Sequence, residues 1–232
     1  MAMCSTKRKS DMAKKIAVLL SGCGVYDGSE IYETVLTLLR LDQSGAEYQC
    51  IAPNDAMMHV INHMTGEEMP ESRNILVEAA RLARGNIIDL ADAKAEEYDG
   101  LILPGGFGAA KNLCDFAVKG TEMSIRQDVI DFVRSFHKAM KPVGLMCIAP
   151  VMVPQIFGEK SICTIGTDPD VASAVTAMGG EHQDRSVDDI CVDAVNKVVT
   201  TPAYMLASGI FDASKGIFAL VDEVLSMIKK YN

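Results

Sequence analysis

The sequence predicts an α/β protein with a mostly parallel sheet covered by helices on both faces. Three observations carry that prediction. Short apolar runs such as residues 15–21 and 98–103 run into glycine-bearing turns, as buried parallel strands do. Amphipathic stretches with helical spacing stand between them. The two kinds of segment alternate along the chain, which is the order that βαβ units produce.

Taken in order, residues 15–21 (KIAVLLS) read as the first strand. Residues 29–41 read as a helix with Ile31, Val35, Leu38 and Leu39 on one face. Residues 45–53 form a second strand, 54–70 are polar and irregular, and 72–84 form an amphipathic helix closed by Gly85. A strand over 98–103 leads into a glycine-rich turn. A long helix over 124–140 precedes a strand over 141–146 that stops at Cys147. A helix over 149–157, a strand over 161–165 and a helix over 170–178 follow. Residues 190–193 and 197–201 flank a four-residue turn like a hairpin, and the last helix covers 213–230.

Bulk properties narrow the function. The chain has 232 residues, enough to bury a core without disulfide or metal staples, and residues 15–232 read as one domain behind a flexible leader, 1–14. Acidic residues outnumber basic ones 31 to 22, a net charge of −9 that repels phosphate backbones, so no nucleic-acid partner is expected. Apolar runs are too short and interrupted for a membrane span. Seven cysteines, an odd number without a C-x-x-C pair, and a polar N-terminus without an apolar signal core indicate free thiols in a reducing compartment. The cytoplasm is expected, with an organelle matrix as the alternative.

Three turns leave strands at the carboxyl edge, where parallel sheets place their ligand crevice. In Gly144-Leu145-Met146-Cys147-Ile148-Ala149-Pro150 a strand stops at a nucleophile and turns into a helix. A helix start beneath Cys147 would favour its thiolate, and Pro150 suits a first helical turn. The alternative is a plain buried cysteine. In Leu103-Pro104-Gly105-Gly106-Phe107-Gly108 adjacent glycines can turn backbone N–H groups outward to hold an oxyanion. The third turn, residues 22–30, has G-x-G-x-x-x-G spacing, which is not a dinucleotide fingerprint. Glu30 could aim a carboxylate at the crevice, or pair with Asp27 in a capping box.

Other candidates are weaker. His59 and His63 stand four apart near Glu67 and Glu68, but lack the H-E-x-x-H glutamate, so no metal is expected. Cys23 could supply a second thiol, the direction of His182 cannot be read, His137 suits a helix end, and Asp188-Asp189 read as a solvated edge.

The segments LLSGCGVYDGSEI, VINHMTGE, LPGGFGAAKNL, GLMCIAP, VDDI and NKVVTTPAYM resemble the ElbB-like proteins of the PfpI-like, class I glutamine amidotransferase-like superfamily. The resemblance runs from about residue 15 to the C-terminus. It implies a flavodoxin-like three-layer sandwich, a homodimer, Cys147 as the elbow cysteine and Glu30 as its carboxylate. Oxyanion donors would be Gly106 and Ile148, with Gly105 beside them. The activity it implies is a glyoxalase that converts glyoxal to glycolate without glutathione or any other cofactor, with a link to isoprenoid production. Two departures stand out. Ile148 follows Cys147 where many relatives have histidine, and no late H-x-E pair exists, which argues against glutaminase chemistry. A cysteine-based redox sensor and a non-catalytic binding or regulatory protein are the rival readings.

Overall fold

The computed structural model describes residues 13–228. Nine strands and seven α-helices alternate along these residues: β1 Lys15–Leu19, α1 Ile31–Gln43, β2 Glu47–Ala52, α2 Ile75–Leu82 and β3 Ile87–Asp89. Then come β4 Gly100–Leu103, α3 Phe116–Lys119, α4 Gln127–Lys138, β5 Val143–Met146, α5 Val153–Phe157, β6 Ile162–Cys163 and α6 Pro169–Ala177. The series ends with β7 Glu181–His182, β8 Cys191–Asp193, β9 Val198–Thr201 and α7 Ile210–Met227. The leader assigned to residues 1–14 falls almost wholly outside the described residues.

Seven strands form one sheet in the order β3-β2-β1-β4-β5-β9-β8. All neighbours are parallel except β8, which returns antiparallel on β9. The hairpin turn is held by Asp193, whose Oδ1 accepts the N–H groups of Val195 and Asn196 at 3.1 and 2.9 Å. Side-chain alternation in β1 separates two cores. Ala17 and Leu19 face the layer holding α4 and α5, and Ile16 and Val18 face the layer holding α1, α2 and α7. This is the flavodoxin-like three-layer sandwich. Ile217, Leu220, Val221 and Val224 of α7 are fully buried, each worth about 1.5–3 kcal/mol of burial. A Cβ on Gly144 would stand 2.7 Å from Leu220, so this glycine lets α7 lie close against β5, the strand that ends at Cys147.

Several elements differ from expectation. The apolar residues of α1 do not all face inward: Ile31, Val35 and Leu39 are 40–47% exposed, while Glu33, Thr34 and Thr37 are buried. The polar side of this helix is satisfied inside, with Thr34 Oγ1 donating to Glu30 O at 2.8 Å. The expected helix over 149–157 is a 3₁₀ turn, Ala149–Met152, followed by the five-residue α5. Pro150 and Pro154 remove the N–H groups that a continuous α-helix would need. Short β3 and β7 were not expected. Each has only two or three residues and too little pattern to register. Residues 54–70 are irregular, as read, but tied down: Ile61 N–H donates to Asp27 Oδ2 at 2.7 Å and Met58 N–H to Asn112 Oδ1 at 2.9 Å. Among the described residues no helix is long and apolar enough to cross a membrane.

Candidate active site around Cys147

β5 ends at Met146, and Cys147 takes a left-handed backbone conformation with φ = 60°. A non-glycine residue in that region costs on the order of 1 kcal/mol, and such strain gathers at functional positions. Its N–H is held by Thr201 O at 3.0 Å, at the end of β9. That bond holds the turn at the sheet edge, beside the end of β4 and the start of α1.

The residue that meets it is Glu33, fully buried in the first turn of α1. Glu33 Oε2 accepts the Gly105 N–H at 2.8 Å, and Oε1 accepts the Tyr204 N–H at 3.1 Å. Glu33 also lies beside Cys147 and is electrostatically coupled to its side chain. A Cβ on Gly105 would lie 2.9 Å from Glu33 Oε2 and closer still to Cys147, so only glycine lets the β4 turn pass between them. Gly106 takes a left-handed conformation, φ = 86°, and its N–H and that of Ile148 are the backbone groups that favour the Cys147 thiolate.

Burial pushes the Glu33 carboxyl up to about 7, aided by the charge of Glu30 and opposed by the Tyr204 and Gly105 N–H groups. Burial, and then the charge of Glu33, push the Cys147 thiol well above its ordinary value, opposed by the Gly106 and Ile148 N–H groups. The expectation that a helix start alone would favour the thiolate is therefore corrected: desolvation outweighs the donors. A thiol and a carboxyl thus stand side by side, and burial favours the protonated form of each.

The candidates read from sequence separate into three groups. Cys147, Gly106 and Ile148 lie together, the two backbone N–H groups acting on the thiol. Gly105 adjoins them, but its N–H is engaged by Glu33 and is not free for an oxyanion. Glu30 does not touch the thiol. It is the N-cap of α1, its Oε2 accepting the Glu33 N–H at 2.6 Å, and one helical turn separates it from the carboxylate that does. Sequence reasoning missed Glu33. The available signal was its position within the same SEIYE segment, three residues further on, where a helix returns to nearly the same face. Tyr204 was missed as a site residue too. Its ring lies 6.1 Å from that of Tyr32, and the two rings flank the α1 end of the site.

The remaining candidates lie elsewhere. Cys23 is half-buried among Glu78, Arg81 and Asp27. His63 stacks on Tyr26 with centroids 5.0 Å apart. His182 Nε2 accepts the Ile165 N–H at 3.2 Å, within the β6–β7 segment. His137 packs edge-on against Phe157. Among the described residues no three His, Cys, Asp or Glu side chains converge as a metal site would need.

A parallel α/β sandwich with a strained thiol at a strand end, two backbone donors on its sulfur and a buried carboxylate beside it defines the class of elbow-cysteine proteins. Within that class the chain belongs to the DJ-1/PfpI family, whose pattern it matches over residues 14–203. It is 43% identical over 228 residues to the human "glutamine amidotransferase-like class 1 domain-containing protein 3, mitochondrial", covering 94% of this chain and 85% of that one. The rat "ES1 protein homolog, mitochondrial" is also 43% identical, covering 93% and 85%. Among solved structures, an isoprenoid biosynthesis protein with an amidotransferase-like domain from Ehrlichia chaffeensis superposes with a TM-score of 0.85 at 36% identity, covering 91% of this chain and 99% of that one. Drosophila melanogaster DJ-1beta, at 15% identity and a TM-score of 0.54, shares the fold.

Proposed function

We propose that this protein is a glutathione-independent glyoxalase-like enzyme that converts glyoxal and similar small dicarbonyls to hydroxy acids. The observation that carries this reading is the contact of the Cys147 thiol with the buried Glu33 carboxylate, opposite two backbone N–H groups.

The Cys147 sulfur adds to one carbonyl carbon while its proton passes to Glu33, giving a hemithioacetal. The new alkoxide oxygen lies against the Gly106 and Ile148 N–H groups and takes the proton back from Glu33, which is again a carboxylate. The carbinol C–H proton is then removed and returned to the neighbouring carbon through an ene-diol, with Glu33 as the carrier. The product is a thioester: one carbon has been oxidised and the other reduced within the same molecule. Water cleaves the thioester, restores the thiol and releases glycolate. No external oxidant or cofactor enters the balance. Glu33 takes the place assigned to Glu30 from sequence, and supplies the acid–base function for which no histidine follows Cys147.

Residues 15–232 act in this reading as one domain, and the active form is a homodimer. The exposed stripe Ile31, Tyr32, Val35 and Leu39 on α1 offers an apolar face for a second copy. The mitochondrial names of the human and rat relatives support the organelle matrix over the cytoplasm. A link to isoprenoid metabolism rests on the name of the Ehrlichia relative.

Glycolate formation from glyoxal by the purified protein tests the reading, with Cys147→Ser alongside. Turnover in the wild type that disappears in the variant is expected. Equal turnover in both removes Cys147 from the chemistry, and no turnover in a wild type with a reduced thiol favours the non-catalytic binding or regulatory alternative.

A further inference from the structure

Glu30 and Glu33 stand one turn apart at the start of α1, and both side chains are buried, with Glu30 at 7% and Glu33 at 0% exposure. Buried acids are usually paired with cations. Here the groups acting on Glu30 are burial and the N–H groups of Glu33, Tyr32 and Ile31, with no lysine, arginine or histidine among them. Those acting on Glu33 are burial, Glu30, the Tyr204 and Gly105 N–H groups and Cys147. Two buried carboxyls therefore stand one helical turn apart at the start of α1, with the thiol beside the second and no cationic side chain among the groups acting on either.

Geometry divides their roles. Glu30 caps the helix; burial pushes its carboxyl above the ordinary value, and the N–H groups of Glu33, Tyr32 and Ile31 act against that push by stabilising negative charge. Its backbone is clamped as well: the Glu30 N–H donates to Gly105 O at 3.0 Å, and Thr34 Oγ1 donates to Glu30 O at 2.8 Å. Glu33 lacks the capping position and lies beside Cys147. Facing this pair are Tyr32 on α1, Tyr204 beyond β9 and Cys147 at the elbow, while the Gly105–Gly108 turn presents backbone.

We propose that Glu30 is a positioning residue: its negative charge at the helix cap keeps Glu33 basic enough to deprotonate Cys147 and makes the site selective for uncharged over anionic carbonyl substrates. The first effect follows because a like charge one turn away favours the protonated form of Glu33. The second follows because a carboxylate- or phosphate-bearing substrate would enter against the same charge with no cation to receive it. The proposal rests on Cys147 and Glu33 being the reacting pair, and it restricts the substrate class of that pair.

The test uses two probes of similar size, iodoacetamide and iodoacetate. Each alkylates sulfur with formation of an S–C bond, loss of iodide and transfer of the thiol proton. Rates at Cys147 are read by peptide mass spectrometry across pH in the wild type, Glu30→Gln and Glu30→Asp. Glutamine keeps an oxygen for the Glu33 N–H but removes the charge, whereas aspartate keeps both charge and capping ability.

In Glu30→Gln the acidic limb of the iodoacetamide profile should move to lower pH. The preference for iodoacetamide over iodoacetate, normalised to a free thiol, should narrow on the order of five-fold. Glu30→Asp should behave as the wild type in both readouts. Unchanged readouts in Glu30→Gln, movement of only one of them, or equal perturbation by aspartate would overturn the proposal. Alkylation needs no turnover, so a protein that makes no glycolate but gives the expected profiles would contradict the glyoxalase reading and leave the role of Glu30 standing.

Discussion

Cys147 and Cys163 are both buried thiols at strand ends, yet their surroundings differ in kind. Cys163 ends β6 at 0% exposure, with its sulfur 3.8 Å from Pro150 O, and burial pushes its thiol up to about 12. Cys147 is also pushed up by burial, but two backbone N–H groups oppose that push and beside it lies a carboxyl that burial pushes up to about 7. Burial alone makes a cysteine inert, as Cys50 and Cys114, also pushed up to about 12, illustrate. On the proposed reading, burial with a base and backbone donors alongside makes a nucleophile.

The largest expected effect that sharpens this contrast is loss of Cys147. Cys147→Ser should reduce glyoxal turnover to background, about 10³-fold or more, while Cys163→Ser leaves it in place. Steady-state glycolate assays on both variants check this. Next comes the base: Glu33→Gln should lower turnover by roughly 10²- to 10⁴-fold with the fold intact, as read by kcat against circular dichroism.

A stability effect follows from the same carboxyl. Its folded value, about 7, lies above the ordinary 4.5, so the folded state binds the proton more tightly than the unfolded one. That contribution is fully present below about pH 4.5 and is lost as pH rises through 7, amounting to about 3 kcal/mol. Denaturant titrations from pH 4 to 8 should show this decline in the wild type and a flatter curve in Glu33→Gln. The smallest effect belongs to the inert thiol. Cys163→Ala should cost about 1–2 kcal/mol in the same titration and leave the Cys147 alkylation rate unchanged.

The fold was legible because its signals are local and redundant. Apolar strands, amphipathic helices and glycine turns alternate, and the elbow GLMCIAP and the turn LPGGFG mark the sheet edge by residue type alone. The rotation of α1 was not legible. Its outward stripe of Ile31, Val35 and Leu39 looks like a core face, and only packing against α7 and β5 shows that Glu33, Thr34 and Thr37 turn inward. The choice of Glu30 over Glu33 failed for the same reason. Residues three apart share a helix face, and a cap differs from a base only through the hydrogen bonds each accepts, which no single sequence displays. The engagement of the Gly105 N–H likewise depends on a partner 72 positions away.

The central claim, that surroundings and not burial make Cys147 reactive, is tested most directly by comparing cysteine alkylation rates in the folded wild type and in Glu33→Gln. Site-resolved mass spectrometry after brief iodoacetamide exposure at neutral pH gives each rate. Cys147 should react well ahead of Cys50, Cys114 and Cys163 in the wild type, and should lose that lead in Glu33→Gln. A wild type in which Cys147 reacts no faster than Cys163, or a Glu33→Gln protein in which its lead persists, would contradict the account.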